Sequence, residues 1–338
     1  LALTKAGLDV VIEDATPTNA RLAIDYGAGR KASESDAPSI IVVCVPPDVT
    51  ASVVAAELER FPNAVVTDVA SVKSSILHDL TTRGADLSRY LGSHPMAGRE
   101  RGGALSGRAD LFIARPWVLA VHESASARAI AAVEDLALDL GAIPSRMSPE
   151  AHDRAVALVS HAPQVVSSLL AARLANADAS DVALAGQGLR DTTRIAASDP
   201  KLWLQILGAN ADSVRTVLTG FQDDLSSVIS ALEDTDASGA LAVIGDALSA
   251  GNRGVEKIPG KHGSNATAYS FVVVLIDDKP GQLAKLLTEV GEAGINLEDL
   301  KLEHSPGAAV GLVELAVLPA VEQKLVAELT SRGWRLAG

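Results

Sequence analysis

Val65-Val66-Thr67-Asp68-Val69-Ala70-Ser71-Val72-Lys73 reads as a buried strand running into a helix. Downstream lies Gly92-Ser93-His94-Pro95-Met96-Ala97-Gly98-Arg99-Glu100. Two glycines bracket a histidine and a proline there, so this second stretch is expected as a tight loop and not a helix. A histidine on a rigid loop can serve as acid or base near neutral pH. Glu100 is close enough in sequence to orient it or a substrate. The plainer reading is a structural loop with a hydrogen-bonded histidine.

Working outward, Ile40-Ile41-Val42-Val43-Cys44-Val45 is a continuous apolar, β-branched run ended by Pro46-Pro47. Such a run is expected of a parallel strand covered on both faces. A strand over 8–12 ends at Glu13-Asp14. Helices are expected over 19–25, 49–59 and 71–81, and further strands over 64–68 and 117–121. Strands alternating with helices predict an α/β fold, a Rossmann-like doubly wound parallel sheet. Such sheets take ligands beyond the carboxyl ends of their strands. Asp14, Val45, Pro46, Asp68, Ser71 and the His94 stretch occupy those ends.

A dinucleotide fold opens with a strand, a G-x-G-x-x-G loop and a helix. Residues 1–7 here read as the end of a helix capped by Gly7. The Glu13-Asp14 pair falls where the ribose-binding carboxylate belongs. The expectation is a first strand and glycine loop ahead of Leu1, the alternative a sheet that never had one.

The 338 residues are 48% hydrophobic but only 3% aromatic, so Ala, Val and Leu must build the cores. A formal charge of -13 argues against a nucleic-acid binder, which needs a basic face. No apolar run approaches the roughly 18 residues of a membrane span, and no signal peptide is visible. Cys44 is the one cysteine, so an intrachain disulfide is impossible and a cytoplasmic setting fits. No Cys/His cluster has metal-ligand spacing, and no metal is expected.

Beyond Pro149 strand signals vanish, and alanine-rich helical periodicity covers 151–174, 181–189, 202–218, 225–232 and 240–248. Long apolar helices outside a sheet predict packing against a second copy, a homodimer. The Gly-, Lys-, Asn- and Ser-rich stretch 251–268 reads as a linker. From Tyr269, strand 270–276, helix 281–292, a strand starting at 294, strand 310–318 and helix 319–331 give βαββα, with 334–336 as a short last strand. That order is ferredoxin-like. The expected domains are 1–147, 148–250, the linker 251–268, and 269–338.

These residues carry a resemblance. The 67–73 and 92–98 stretches, Val159-Ser160-His161-Ala162-Pro163, Gly188-Leu189-Arg190-Asp191-Thr192-Thr193-Arg194-Ile195-Ala196, Ser198-Asp199-Pro200 and Trp203 resemble the prephenate/arogenate dehydrogenase family. The C-terminal unit resembles an ACT domain, a small-molecule sensor often attached to amino-acid biosynthetic enzymes. The resemblance implies NAD(P)-dependent oxidative decarboxylation in tyrosine biosynthesis, of prephenate to 4-hydroxyphenylpyruvate or of arogenate to tyrosine. It implies His94 as general base on the C4 hydroxyl. Ser71 would hydrogen-bond His94 and the nicotinamide region; its plainer role is a helix N-cap. Arg194 would bind a substrate carboxylate through its guanidinium fork. His161 would face the site. Glu100 would gate it or pair with a cation, and Arg190 is a weaker binding candidate. Trp203 is as readily core, and His152-Asp153 reads as a structural pair at a helix start.

The carboxylate at Asp14, with no arginine following, predicts NAD over NADP. Neutral Gln164, near His161, leans toward prephenate over arogenate. In the C-terminal unit Asp278, Gly281, Leu283 and Asn296 are the expected sites for an aromatic amino-acid effector. A 3-hydroxyacid dehydrogenase would need a helix-borne lysine with an asparagine, and Lys201 has no convincing partner of that kind. A non-catalytic amino-acid sensor with a degenerate sheet domain is the non-enzyme alternative.

Overall fold

The computed structural model describes residues 1–98, 103, 106–259, 269–304 and 310–337. By packing, the chain divides into two units: Leu1–Val182 with Asp191–Gln222, and Ala183–Arg190 with Asp223–Gly338.

The first unit opens with α1 (Ala2–Lys5), β1 (Val11–Ile12), α2 (Pro17–Asp25), β2 (Arg30–Lys31), β3 (Ile40–Val43), α3 (Pro47–Arg60), β4 (Val65–Asp68), α4 (Ser74–Thr82), β5 (Gly92–Pro95), β6 (Pro116–Ala120), α5 (Ala127–Asp139) and β7 (Ile143–Met147). Pairs β1–β2, β3–β4 and β6–β7 are parallel. Every residue of β4 is buried, as a strand covered on both faces must be. Successive side chains point to opposite faces. Val66 therefore joins Val43, Val54, Leu58, Ile76 and Leu80, while Val65 joins Leu119, Val133 and Leu136. Helices α3 and α4 cover one face and α5 the other.

Two expectations are corrected here. The His94 stretch is not a loop from its start: Gly92–Pro95 is strand β5, paired antiparallel with β6. Leu91 and Ser93 are fully buried, and Pro95, which cannot donate to a ladder, stands last in the strand where that costs little. The sheet is consequently mixed, with an isolated parallel bridge from Val66 to Tyr90 leading toward β5. Helix α5 and strand β7 also lie outside the expected set. Among the described residues strand β7 pairs only with β6, and it is largely exposed, so no apolar run marks it.

The helical segment comprises α6 (Pro149–Val156), a π-helical turn (Ala157–His161), α7 (Ala162–Arg173), α8 (Ala179–Val182), α9 (Gln187–Thr193), α10 (Pro200–Ala209), α11 (Ala211–Glu233) and α12 (Ala240–Val255). The helix expected over 151–174 thus contains a π turn. The one expected over 181–189 is broken between α8 and α9, where Gly186 lies. The helix expected over 202–218 breaks at Asn210, and 225–232 merely continues α11. Helix α12 runs to Val255, into the stretch read as linker; residues 260–268 lie outside the described residues. Contrary to the expectation from apolar runs, Pro149–Asn176 is long and apolar enough to cross a membrane. Its buried His152, Asp153, His161 and Gln164 give it a polar face packed inside the first unit.

The second unit contains β8 (Ser270–Asp277), α13 (Gln282–Glu292), β9 (Asp299–His304), β10 (Val310–Val317), α14 (Pro319–Ser331) and β11 (Arg335–Ala337). The sheet order β11-β8-β10-β9 is antiparallel throughout, the ferredoxin-like arrangement expected. Val272, Val274, Ile276, Val313 and Leu315 pack on Leu286, Val290, Leu325 and Leu329, so both helices cover one face.

Candidate active site

Strand β5 delivers His94, and helix α6 delivers His152 and Asp153. His94 Nδ1 lies 2.9 Å from His152 Nε2, and His152 Nδ1 lies 2.8 Å from Asp153 Oδ1. The proton order follows from chemistry. An ionised Asp153 only accepts, so His152 donates from Nδ1. Its Nε2 then carries the lone pair that accepts Nδ1–H of His94. This fixes the tautomer in which His94 Nε2 is a free base. Burial, then Lys73, His152 and His161, push His94 well below the ordinary histidine value, with Asp153 opposing. The imidazole is neutral at pH 7.

Asp153 is nine-tenths buried and fully engaged. It accepts from the backbone N–H groups of Lys73 at 2.9 Å and Ser74 at 2.8 Å. Those are orphan donors at the N-terminus of α4, so the cap comes from α6 and not from Ser71. Burial pushes the Asp153 carboxyl up, but hydrogen bonds from His152, Ser74 and Lys73 outweigh it and hold the group below its ordinary value.

The π turn sets the second histidine. Inserting a wider turn re-aims the side chains that follow it, and such turns gather at functional sites. His161 is buried. Asn210 Nδ2 donates to the Asp153 carbonyl at 2.8 Å and lies 3.2 Å from His161 Nδ1. A carbonyl cannot donate, which fixes the amide orientation and makes His161 Nδ1 the acceptor. His161 therefore presents Nε2–H as a donor. Burial first, then His152, lower its pKa to about 4 against the opposing Asp153. Trp203 meets the ring edge-on at 6.0 Å between centroids. Next on this face, Gln164 is buried and donates to Ser168 Oγ at 3.3 Å.

At the strand ends, Asp68 is buried at the end of β4 and pairs with Lys73, while Ser71 is half-buried in the turn before α4. Asp68 accepts a Tyr90 hydroxyl bond and a backbone bond from Ala70, so its carboxylate serves the protein's interior. Val45 and Pro46 follow β3 and lead into α3, their carbonyls accepting from Thr50 Oγ1. Glu13 is tied to Arg60 at 2.7 Å. Asp14 is exposed and holds only the Thr16 N–H at 2.7 Å through Oδ1, which leaves Oδ2 for an incoming hydroxyl. Arg194 begins a 3-10 turn (Arg194–Ala197) packed on α7. Arg190 belongs to the second unit, on α9. Glu100 lies outside the described residues.

In the second unit, Gly281 has φ +87 and caps α13, a conformation that needs glycine. Leu283 packs on the core of that unit, Asp278 sits in the turn before the helix, and Asn296 donates to Glu298 at 3.1 Å. Among the described residues no group of His, Cys, Asp or Glu could hold a metal ion.

From local sequence His152-Asp153 reads as a structural pair, and neither Lys73 nor Asn210 stands out. An adjacent His-Asp at a helix start was the one available signal; its link to His94 spans 58 residues and is purely tertiary.

A mixed α/β sheet presenting an oriented, neutral histidine near its strand ends, with α6 and the π turn bringing His152 and His161 to it, is the layout of a dinucleotide-dependent dehydrogenase. Residues 1–144 match the model of the prephenate dehydrogenase nucleotide-binding domain, and 148–244 match that of the prephenate dehydrogenase dimerization domain. The chain is 34% identical to the probable prephenate dehydrogenase NovF of Streptomyces niveus, over 99% of this chain and 94% of the relative. It is 31% identical to the cyclohexadienyl dehydrogenase of Zymomonas mobilis, over 58% of this chain and 69% of that one. Its fold resembles that of the A. aeolicus prephenate dehydrogenase solved with hydroxyphenyl propionate and NAD+, at a TM-score of 0.65 and 24% identity, covering 75% and 92% of the two chains. The chain belongs to the prephenate dehydrogenase family. It is an NAD-dependent dehydrogenase.

Proposed function

We propose that this enzyme catalyses the oxidative decarboxylation of prephenate to 4-hydroxyphenylpyruvate. The observation that carries the reading is the Asp153–His152–His94 chain, which leaves His94 Nε2 as a base. NAD+, which residues at the carboxyl ends of the strands would hold, would supply the acceptor for the C4 hydride. His94 Nε2 takes the C4 hydroxyl proton and returns it to the phenol oxygen as loss of carbon dioxide makes the ring aromatic. His161 Nε2–H supplies a donor for a substrate oxygen, and the Arg194 fork takes a carboxylate. Arg190 and Glu100 remain secondary binding candidates. Asp14 takes the ribose, with Val45, Pro46 and Ser71 shaping the cofactor cleft and buried Asp68 fixing the turn behind it through Ala70 and Lys73; the open Oδ2 of Asp14 suits that role.

Gln164 is neutral, so nothing there rewards the ammonium that distinguishes arogenate, and prephenate is preferred. The alternative is arogenate conversion directly to tyrosine. Assays with each substrate, each with NAD+ and NADP+, test both choices: a higher kcat/KM for arogenate overturns the first, and equal use of NADP+ the second. Exposed Leu158, Val159, Leu169 and Leu170 on the helical segment fit a homodimer, and the setting is cytoplasmic. The domains are 1–147, 148–250 and 269–338. The last is an ACT-type sensor for an aromatic amino acid, with Asp278, Gly281, Leu283 and Asn296 at its ligand turn; its sheet order supports this.

A further inference from the structure

Lys73 is almost entirely out of solvent, and so is Asp68. Lys73 Nζ donates to Asp68 Oδ1 and, at 2.7 Å, to the carbonyl of Ser93. Asp68 Oδ1 also accepts from Ala70 N at 2.9 Å, and Oδ2 accepts the Tyr90 hydroxyl at 2.7 Å. Ser93 Oγ bonds the Asp68 carbonyl at 3.0 Å. The space is made by Gly92: a Cβ there would stand 2.9 Å from the Tyr90 hydroxyl and 3.2 Å from both Asp68 Oδ2 and Lys73 Cδ.

Stability does not account for this cluster. Burying an ion pair carries a large desolvation cost, and apolar replacements are often neutral or better. The placement does account for it. Through Nζ, Lys73 holds the peptide that leads into His94; through its own N–H it holds Asp153, the far end of the relay. We propose that Lys73 is a positioning residue for the reaction: its buried ammonium, neutralised by Asp68 and bonded to the carbonyl preceding His94, holds that imidazole in place and free of a proton.

The surroundings of His94 agree with this. The β4–α4 junction brings Lys73 and Asp68, α6 brings His152 and Asp153, and the π turn brings His161. Tyr90 caps Asp68, and β6 places untitratable Val118 opposite. Tyr90 and Ala70 draw on the negative charge of Asp68, whereas the Lys73 cation lies beside the His94 peptide. After burial, Lys73 is the largest cause that lowers the His94 pKa. Burial also pushes the Lys73 ammonium down, with Asp68 opposing; hydrogen bonds from Nζ to two oxygens suit the charged form.

The inference rests on reading His94 as the base, and the test separates the two. The imidazole resonances of His94, assigned by their loss in His94→Asn, are titrated in the free enzyme. The parent should stay neutral well below the ordinary histidine midpoint. In Lys73→Met/Asp68→Asn, which removes the pair without stranding a charge, the midpoint should rise by about one unit, a tenfold gain in proton affinity. The acid limb of the kcat profile should move with it. A coincident midpoint in the folded variant reduces Lys73 to a strut and overturns the proposal. Should the variant not fold, ¹⁵N spectra of lysine in the parent decide: a charged Lys73 at pH 7 supports the proposal, a neutral one overturns it. Near-normal turnover in His94→Asn would sink the base reading alone, and the titration would still judge Lys73.

Discussion

Asp153 accepts the backbone N–H of Lys73 at 2.9 Å through the same oxygen that receives His152. One carboxylate on α6 therefore closes the N-terminus of α4 and begins the relay to His94. The turn carrying Ser71 and the strand carrying His94 are indexed to each other through this group.

The first prediction follows. His94→Asn should lower kcat by about 10²-fold or more, because a general base acts in the transition state, while substrate KM changes little. Asp153→Asn should also lower kcat, since an amide can donate to His152 and reverse the proton order. It should additionally lower Tm through the weakened cap. His152→Phe should lower kcat and spare the cap. Full turnover in His152→Phe, measured with prephenate and NAD+, would dissolve the relay.

Much of this was legible beforehand for a physical reason. Strand β3 announces itself as a continuous apolar, β-branched run, and β4 through Val65-Val66 ahead of Thr67-Asp68. Strand β5 did not, because glycine and proline signal turns locally while tertiary pairing with β6 decides the outcome. His94 and His161 were found through their motifs. The relay from Asp153 through His152 to His94 was not, since no local pattern tells that His152 points toward His94 and not into a core. Asn210 was invisible for the same reason: a helix break looks like any other until its side chain meets His161.

The second prediction concerns acid. His94 and His161 are held neutral by burial, the latter titrating at about 4, whereas in the unfolded chain both titrate near 6.5. Below that value the unfolded state binds more protons, so stability falls as pH drops. The loss begins near pH 6.5; for His161 it continues to about pH 4 and amounts to about 3 kcal/mol. Urea midpoints should decline across this window. They should decline less in His161→Gln, and an unchanged slope in that variant would refute the assignment.

The third prediction concerns cofactor choice. Glu13 is committed to Arg60, and Asp14 is open at Oδ2. A carboxylate there accepts from the ribose hydroxyls and repels a 2′-phosphate. Asp14→Ser should raise the KM for NAD+ and lower that for NADP+, with little change in kcat. Unaltered discrimination between the two would move the ribose contact elsewhere.

The last prediction is that residues 269–338 bind an aromatic amino acid, with tyrosine the first choice, and report it to the active site. Gly281 holds φ +87 with nothing within 4 Å of where a Cβ would lie. The requirement there is backbone conformation and not space, and it aims the turn amides ahead of α13. Gly281→Val forces a β-branched residue into that region at a cost of about 1–3 kcal/mol. Heat of tyrosine binding to the whole enzyme should then be lost, and inhibition with it, while turnover without effector persists. If binding is what is regulated, prephenate and tyrosine must weaken each other by the same factor. Titrating each ligand in the presence of the other measures that factor twice. No heat with tyrosine or phenylalanine in the parent enzyme would leave this unit a structural appendage.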